Sequence, residues 1–258
     1  MEKATHVKIK DISVSFGGIV ALSAVSFNVH KGELAAIIGP NGAGKTTLFN
    51  CIFGIYPPQS GDILVEGKSV KNLKPHKIAE AGIARTFQNI ELFMNMTVIE
   101  NLMLGRHMHI GAGFMSGALF YGRACREEIS NREKVEEIIE FLEIEKVRKM
   151  RVSSLPYGIQ KRIELGRALA MGPRVLLLDE PTAGMNVEET EDMARFIIDI
   201  KEEMDLTIMM VEHDMGVVMD LAEKIMVLDF GLKIAEGPPE EIAKNPKVIR
   251  AYLGEEEA

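Results

Sequence analysis

Two short stretches near the start of the chain have the pattern of β-strands: Val7 to Phe16, which opens with alternating hydrophobic residues at Val7 and Ile9, and Asp62 to Glu66. A period of two is typical of β-strands that bury one face. Glycines, which favour turns, bound both stretches: Gly17, Gly18, Gly61 and Gly67. The pattern predicts a group of antiparallel strands.

Other runs have almost no polar interruption. Glu33 to Ile38 enters a glycine-rich loop, and Lys45 to Ile55 beyond that loop has helical character. Val175 to Leu178 and Thr207 to Val211 are rich in Leu, Ile, Met and Val. Strands covered by helices on both faces of a parallel sheet have this composition. The runs predict an α/β fold with a mainly parallel sheet.

The middle of the chain, from Ile90 to Ser154, is mostly helical in pattern. Thr97 stands three residues before Glu100, the spacing of a capping box, and Glu127 to Glu145 is charged and periodic. Met108 to Gly122 has no clear period and is interpreted as a loop that touches a partner or as a plain surface loop. The pattern predicts an inserted helical lobe.

The end of the chain predicts a hairpin and short helices. Lys224 to Leu228 and Leu232 to Ala235 flank a turn from Asp229 to Gly231. Pro238 and Pro239 then favour the start of terminal helices.

Composition restricts the classes of function. With 258 residues, 47% of them hydrophobic, the chain can bury a substantial core. Its net charge of -8 argues against nucleic-acid binding and requires that any bound anion be held by local geometry. Cys51 and Cys125 lack the CxxC spacing of a zinc site and are interpreted as idle thiols.

No stretch has the character of a membrane span or a secretory signal. The longest nearly apolar stretch, Ile19 to Val29, contains Ser23, Ser26 and Asn28 and is shorter than the roughly 18 residues that a membrane helix needs. The N-terminus lacks the apolar core of a secretory signal. We therefore expect a cytoplasmic protein.

A glycine-rich segment between a predicted strand and a predicted helix carries the first candidate chemistry. It fits the pattern GxxxxGK[ST], and Thr47 follows it directly. Its members are Gly39, Pro40, Asn41, Gly42, Ala43, Gly44, Lys45 and Thr46. Such a P-loop lets backbone N–H groups converge on phosphate oxygens at a helix N-terminus. Lys45 would neutralise β- and γ-phosphate charge and Thr46 would bind Mg²⁺, so the segment predicts nucleotide binding.

Two carboxylates follow a buried strand. Val175 to Leu178 runs directly into Asp179 and Glu180, and the carboxyl ends of parallel strands are where ligands bind. Asp179 is suited to hold Mg²⁺ through water, and Glu180 to orient or deprotonate an attacking water. The alternative interpretation is a pair that only caps a helix.

A second glycine segment, Leu155 to Gln160, opens a predicted helix. Its Gly158 stands 21 residues before Asp179. In this context the segment resembles the signature motif of the ABC ATPase family, commonly LSGGQ or LSYGQ, and the resemblance extends over the whole chain. It implies a P-loop NTPase core with an antiparallel β subdomain, residues 1–88 and 166–258, and a helical subdomain, residues 89–165, that carries the signature motif.

The resemblance also implies roles for single residues. Phe16 resembles the aromatic that stacks on adenine, although alone it would be an ordinary strand residue. Gln88 resembles the glutamine near Mg²⁺ and the membrane partner, and His213 the switch histidine that contacts the γ-phosphate. Tyr157 and Gly158 are expected to contact nucleotide. Glu180, His213, Lys45 and Gln88 form the expected catalytic set, with Thr46, Gln88 and Asp179 at the metal.

Three positions depart from the family pattern. Pro156 stands where a serine hydroxyl usually reaches the γ-phosphate, Ile159 replaces the usual glutamine, and Asn186 stands where many relatives carry aspartate. The backbone amide of Gly158 and the helix N-terminus need no hydroxyl and can still act on phosphate.

The implied cofactors are ATP and Mg²⁺. The implied partners are a second ATPase subunit, identical or different, that shares two sites with this one, and transmembrane permease subunits that place the chain on the inner face of the membrane. A solute-binding protein is an indirect partner, and no nucleic acid is expected.

Within the family, the chain is particularly similar to the ATP-binding subunits of importers for branched-chain and other hydrophobic amino acids. The segments that carry this similarity are Arg85 to Gln88, Met96 to His107, Met108 to Arg126, Glu212 to Met215 and Ile249 to Gly254. ATPases for amides, urea or lipid export stay open, because in this family the solute does not touch the ATPase.

Other classes explain less of the sequence. ABC-like ATPases that act on DNA or ribosomes generally carry long coiled coils or two cassettes, whereas this chain has one cassette and no sustained heptads. A GTPase would need a guanine-binding NKxD segment, which is absent. A metabolic kinase would not account for the signature segment.

Overall fold

Two β-sheets organise the computed structural model of the chain, which describes residues 4–109 and 123–253. The first sheet is antiparallel, as predicted. Its strands are β1 (Thr5–Phe16), β2 (Ile19–His30), β4 (Ser60–Val65) and β5 (Lys68–Ser69), in the order β2-β1-β4-β5.

The second sheet is mainly parallel and contains the strands that end at the candidate site. Its members are β3 (Leu34–Ile38), β6 (Ile83–Arg85), β7 (Val175–Asp179), β8 (Thr207–Val211), β9 (Lys224–Asp229) and β10 (Leu232–Gly237). The strand order is β10-β9-β3-β8-β7-β6. Strand β10 forms the predicted hairpin with β9 and pairs with it in the antiparallel direction. The carboxyl ends of β3 and β7 therefore lie on either side of β8, at one edge of the sheet.

Helices cover this sheet and build the middle of the chain. They are α1 (Lys45–Ile52), α2 (Pro75–Glu80), α3 (Val98–Gly105), α4 (Arg123–Phe141), α5 (Tyr157–Ala170), α6 (Val187–Glu203), α7 (Met215–Leu221), α8 (Pro239–Ile242) and α9 (Pro246–Leu253). Helix α3 begins with the predicted capping box of Thr97 and Glu100. Of the predicted loop from Met108 to Gly122, residues 110–122 lie outside the described part of the chain.

The sequence-based predictions miss three strands and extend one helix too far. Strand β2 is treated there only as an apolar stretch, and the short strands β5 and β6 are not predicted. Helix α1 ends at Ile52 rather than Ile55, because Gly54 adopts φ +74° and turns the chain away.

Alternate residues of the parallel strands face two separate cores. Ala36 and Ile38 pack with residues of α3 to α6, whereas Ala35 and Ile37 pack with the antiparallel sheet and α1. This is the period-two geometry of a strand buried on both faces. Cys51 of α1 lies in the second core, and burial raises the pKa of its thiol to about 12, as expected of an idle thiol.

Across the residues that the structure describes, we find no helix with the length and apolarity required to span a membrane.

Candidate functional site

The glycine-rich loop connects the buried strand β3 to helix α1. Gly39, Gly42 and Gly44 have φ values of +150°, +81° and +102°. A Cβ atom at Gly39 would lie 2.0 Å from the carbonyl oxygen of Leu228, so glycine is required for the close approach of β3 and β9. The loop therefore presents its backbone at the N-terminus of α1, the arrangement that binds phosphate groups.

Lys45 is the first residue of α1 and bends back over the loop. Its Nζ donates hydrogen bonds to the carbonyl oxygens of Gly39 at 2.7 Å and Pro40 at 3.0 Å. Burial lowers the pKa of its ammonium group, and the charges of Glu180 and Asp179 oppose that shift. The ammonium group thus lies within the loop and near both carboxylates predicted for the site.

The other residues of the loop differ in how far they are exposed to solvent. Asn41 and Gly42 are exposed, and Ala43 is buried against the second core. Thr46 and Thr47 form the first turn of α1, where the Thr46 side chain is exposed. Thr46 is therefore free to face a ligand bound over the loop.

Asp179, the last residue of β7, is buried with one oxygen paired and the other unpaired. Its Oδ2 accepts a hydrogen bond from Arg85 Nη2 at 2.6 Å. Among the described residues, its Oδ1 has no hydrogen-bond partner. A buried carboxylate oxygen without a partner is costly, so this atom is suited to a hydrated Mg²⁺ ion.

Glu180 follows Asp179 with a left-handed backbone conformation, φ +49°. Such a conformation is strained for a residue with a Cβ atom, and strained residues of this kind cluster at active sites. Gln88 Nε2 donates a hydrogen bond to Glu180 Oε2 at 2.9 Å. His213 Nδ1 lies 3.9 Å from the same oxygen. The structure therefore brings together three of the predicted catalytic residues.

Glu212 was not singled out by sequence reasoning, although it supports this group. Its buried carboxylate accepts a hydrogen bond from the Thr182 hydroxyl through Oε1 and from the His213 backbone N–H, at 3.0 Å, through Oε2. It thus joins the end of β8 to the segment after Glu180. Its position directly after a buried strand, like that of Glu180, is the signal that could have identified it.

The other predicted binding residues lie outside the Gln88, Glu180 and His213 group. The Phe16 ring is 45% exposed and packs edge-on against Tyr56, with ring centroids 5.1 Å apart. Tyr157 and Gly158 begin α5 and face the segment after Glu180. A Cβ atom added at Gly184 would lie 3.2 Å from the Tyr157 ring, and one at Gly158 would lie 2.4 Å from Glu189 Oε1.

Helix α5 holds the turn that contains Gln88. Lys161 Nζ donates a hydrogen bond to the Gln88 carbonyl oxygen at 3.1 Å. Glu164 Oε1 accepts from the backbone N–H groups of Phe87 and Glu91, each at 3.4 Å. Burial raises the pKa of the Glu164 carboxyl, and the Lys161 charge opposes the shift. Sequence reasoning missed both residues because their partners are backbone groups far along the chain.

Comparison with known proteins decides the family. The family model described as ABC transporter matches residues 22–183. The chain belongs to the ABC transporter family. A second family model, described as branched-chain amino acid ATP-binding cassette transporter, matches residues 233–258.

Similar proteins cover nearly the whole chain. The high-affinity branched-chain amino acid transport ATP-binding protein BraF of Pseudomonas aeruginosa is 41% identical over 252 residues, covering 96% of this chain and 98% of BraF. LivG of Salmonella typhimurium, which carries the same description, is 39% identical over 247 residues, with 96% and 97% coverage.

Solved structures show the same fold. A nucleotide-free ATP-binding cassette from an ABC transporter has a TM-score of 0.84 at 31% identity, covering 97% of this chain and 100% of that one. A dimeric ATP-binding cassette in a post-hydrolysis state, bound to ADP and Pi, has a TM-score of 0.75 at 26% identity, with 90% and 98% coverage. The predicted cassette fold and the assignment as an ATPase of an ABC transporter are confirmed.

Proposed function

We propose that this ABC ATPase powers the import of branched-chain or other hydrophobic amino acids. The observation that supports the chemistry is the group at the carboxyl end of β7. There the Glu180 carboxylate and Asp179 Oδ1, which has no partner among the described residues, lie near the Lys45 ammonium of the P-loop. The names of BraF and LivG support the choice of solute.

In this proposal ATP lies along the P-loop, residues 39–47, with its triphosphate on the backbone N–H groups and its adenine on Phe16. Lys45 exchanges its bonds to loop carbonyls for phosphate oxygens. Mg²⁺ would be held by Thr46, Gln88 and Asp179, and when bound it would neutralise charge on the β- and γ-phosphate oxygens.

Glu180 acts as general base in this proposal. Its carboxylate takes the proton from the attacking water, and the Gln88 amide holds that carboxylate through its 2.9 Å hydrogen bond. His213, whose Nδ1 lies 3.9 Å from Glu180 Oε2, would contact the γ-phosphate from the same side. No covalent intermediate is required, because positioned water attacks phosphorus directly.

The proposed assembly is a dimer, which the dimeric structure of a related cassette supports. Tyr157 and Gly158 of one subunit would close over the nucleotide of the other. Residues 89–165 would move as a helical subdomain relative to residues 1–88 and 166–258. The Gln88 turn would pass this closure to permease subunits at the inner face of the membrane, and a solute-binding protein would deliver the solute to them.

Transport by a reconstituted complex tests the proposal. The chain is combined in vesicles with any permeases and solute-binding protein that neighbouring genes encode, and uptake of labelled leucine is measured against ATP hydrolysis. We expect uptake that requires ATP and Mg²⁺ and that excess isoleucine or valine inhibits. Uptake of an amide or urea instead, or export of lipid, would contradict the amino-acid assignment.

The departure at Pro156 gives a second prediction. Pro156 is the N-cap residue of α5, and it makes no side-chain capping hydrogen bond. We expect Pro156→Ser to raise the ATPase rate about tenfold or more, since a hydrogen bond to a charged group contributes about 1.5–3 kcal/mol and about 1.4 kcal/mol corresponds to tenfold in rate. Steady-state phosphate release measures the effect. Pro156→Ala is the matched control, and equal rates for Ser and Ala would show that the hydroxyl is dispensable.

A further inference from the structure

Arg85 is a buried arginine at the candidate site to which the proposed function gives no role. It ends β6, and its side chain is 2% exposed. Its Nη2 donates to Asp179 Oδ2 at 2.6 Å, and its Nη1 donates to Asn50 Oδ1 at 2.7 Å. Asn50 lies on α1, the helix of the P-loop. One guanidinium group therefore joins the ends of β6 and β7 to the phosphate-binding helix.

Aromatic rings fix the guanidinium group further. The Arg85 Cζ lies 5.0 Å from the ring centroid of Phe87 and 5.7 Å from that of Phe49. Both distances are within the range of cation–π attraction. Phe87 directly precedes Gln88, so the same contacts connect Arg85 to the turn that positions Glu180.

The geometry leaves one carboxylate oxygen of Asp179 unused. Arg85 occupies Oδ2, whereas Oδ1 is buried with no partner among the described residues. Rotation of the carboxylate would break a 2.6 Å charge-assisted bond, so the two oxygens cannot exchange roles freely. Asp179 is thus held with one oxygen available for a ligand.

A purely structural ion pair explains these observations less well. Burying two charges costs several kcal/mol, and apolar residues of similar volume would often give equal or greater stability. A structural pair would also be expected to satisfy its own polar atoms, yet Asp179 Oδ1 and Arg85 Nε both lack partners within the described residues. An unsatisfied pair at a ligand-binding sheet edge favours a role in binding.

We propose that Arg85 is a positioning residue for Mg²⁺: it binds Asp179 through Oδ2 and so keeps Oδ1 available to the metal. The proposal rests on the proposed function, in which Asp179 serves Mg²⁺. Partners of metal-binding carboxylates commonly change metal affinity 10- to 100-fold when they are removed. Arg85 would therefore set how much Mg²⁺ is needed for tight nucleotide binding.

The test measures binding of a fluorescent ADP analogue to the full chain, first in EDTA and then during a Mg²⁺ titration. For Arg85→Met we expect the Mg²⁺ midpoint to rise about 10- to 100-fold. Affinity in EDTA should change by no more than about twofold, because Arg85 does not contact the loop that holds phosphate. Arg174→Met is the matched control, because Arg174 forms an equally short 2.6 Å pair with Glu66 at an exposed position.

Arg85→Lys keeps the positive charge but lacks the planar guanidinium group, which donates hydrogen bonds to Asn50 and Asp179 at the same time. We expect a smaller rise of the Mg²⁺ midpoint for this variant. If Arg85→Met fails to fold, the Lys variant decides the question. A Mg²⁺ midpoint equal to that of the unmodified chain, or equal losses with and without Mg²⁺, would overturn the proposal. Absence of any Mg²⁺ effect on the unmodified chain would instead overturn the proposed function.

Discussion

Replacing Glu180 by glutamine is expected to abolish ATP hydrolysis while leaving ATP binding intact. The amide has nearly the same shape as the carboxylate and can still accept the hydrogen bond from Gln88, but it cannot take a proton from water. Loss of a general base typically lowers the rate about 10²- to 10⁴-fold. Phosphate release from the purified chain measures the rate, and a fluorescent ATP analogue measures binding.

The same variant should accumulate a dimer, because bound ATP is no longer consumed. Size-exclusion chromatography with and without Mg·ATP would detect this species. Glu202→Gln is a suitable control, because Glu202 is exposed near the end of α6 and its substitution is the same chemical change made away from the site. Undiminished hydrolysis by the Glu180 variant would refute the assignment of Glu180 as base.

Local patterns predict β3, β7 and β8, which bury both faces, whereas β6 has only three residues and β2 is irregular. Asp11 in β1 and Ala24 in β2 both adopt φ +48°, and they directly precede Ile12 and Val25, which pair with each other. The register of the two strands shifts on either side of Ile12. Such shifts interrupt the period of two, and alternation is confined to the second half of β2, where Val25, Phe27 and Val29 are buried.

Motif residues of the site could be predicted because their chemistry is local. Lys45 and Thr46 adjoin the glycines that shape their loop. Asp179 ends strand β7, and Glu180 follows it directly. Arg85 and Asp179 are 94 residues apart, and only the adjacency of β6 and β7 brings them together. A sequence motif, which is defined by residue spacing, does not include a contact of this kind. The contacts of Lys161 and Glu164 with the Gln88 turn also depend on tertiary packing.

Replacing Lys45 by alanine is expected to weaken nucleotide binding itself. The ammonium group is the donor that satisfies the Gly39 and Pro40 carbonyls, and it offsets the charges of Asp179 and Glu180. Without it, the phosphates would meet a site of net negative charge in a chain whose overall charge is already -8. A charge-assisted hydrogen bond contributes about 1.5–3 kcal/mol, which corresponds to roughly 10- to 150-fold in affinity.

The effect of Lys45→Ala should persist in EDTA, because Lys45 acts on phosphate directly, whereas Arg85→Met should act only when Mg²⁺ is present. Lys31→Ala is the control, since Lys31 is an exposed lysine that pairs with Asp205. Isothermal titration with ADP, with and without Mg²⁺, separates the two variants. Unchanged ADP affinity of Lys45→Ala in EDTA would mean that the backbone N–H groups hold the phosphates alone and that Lys45 serves only to shape the empty loop.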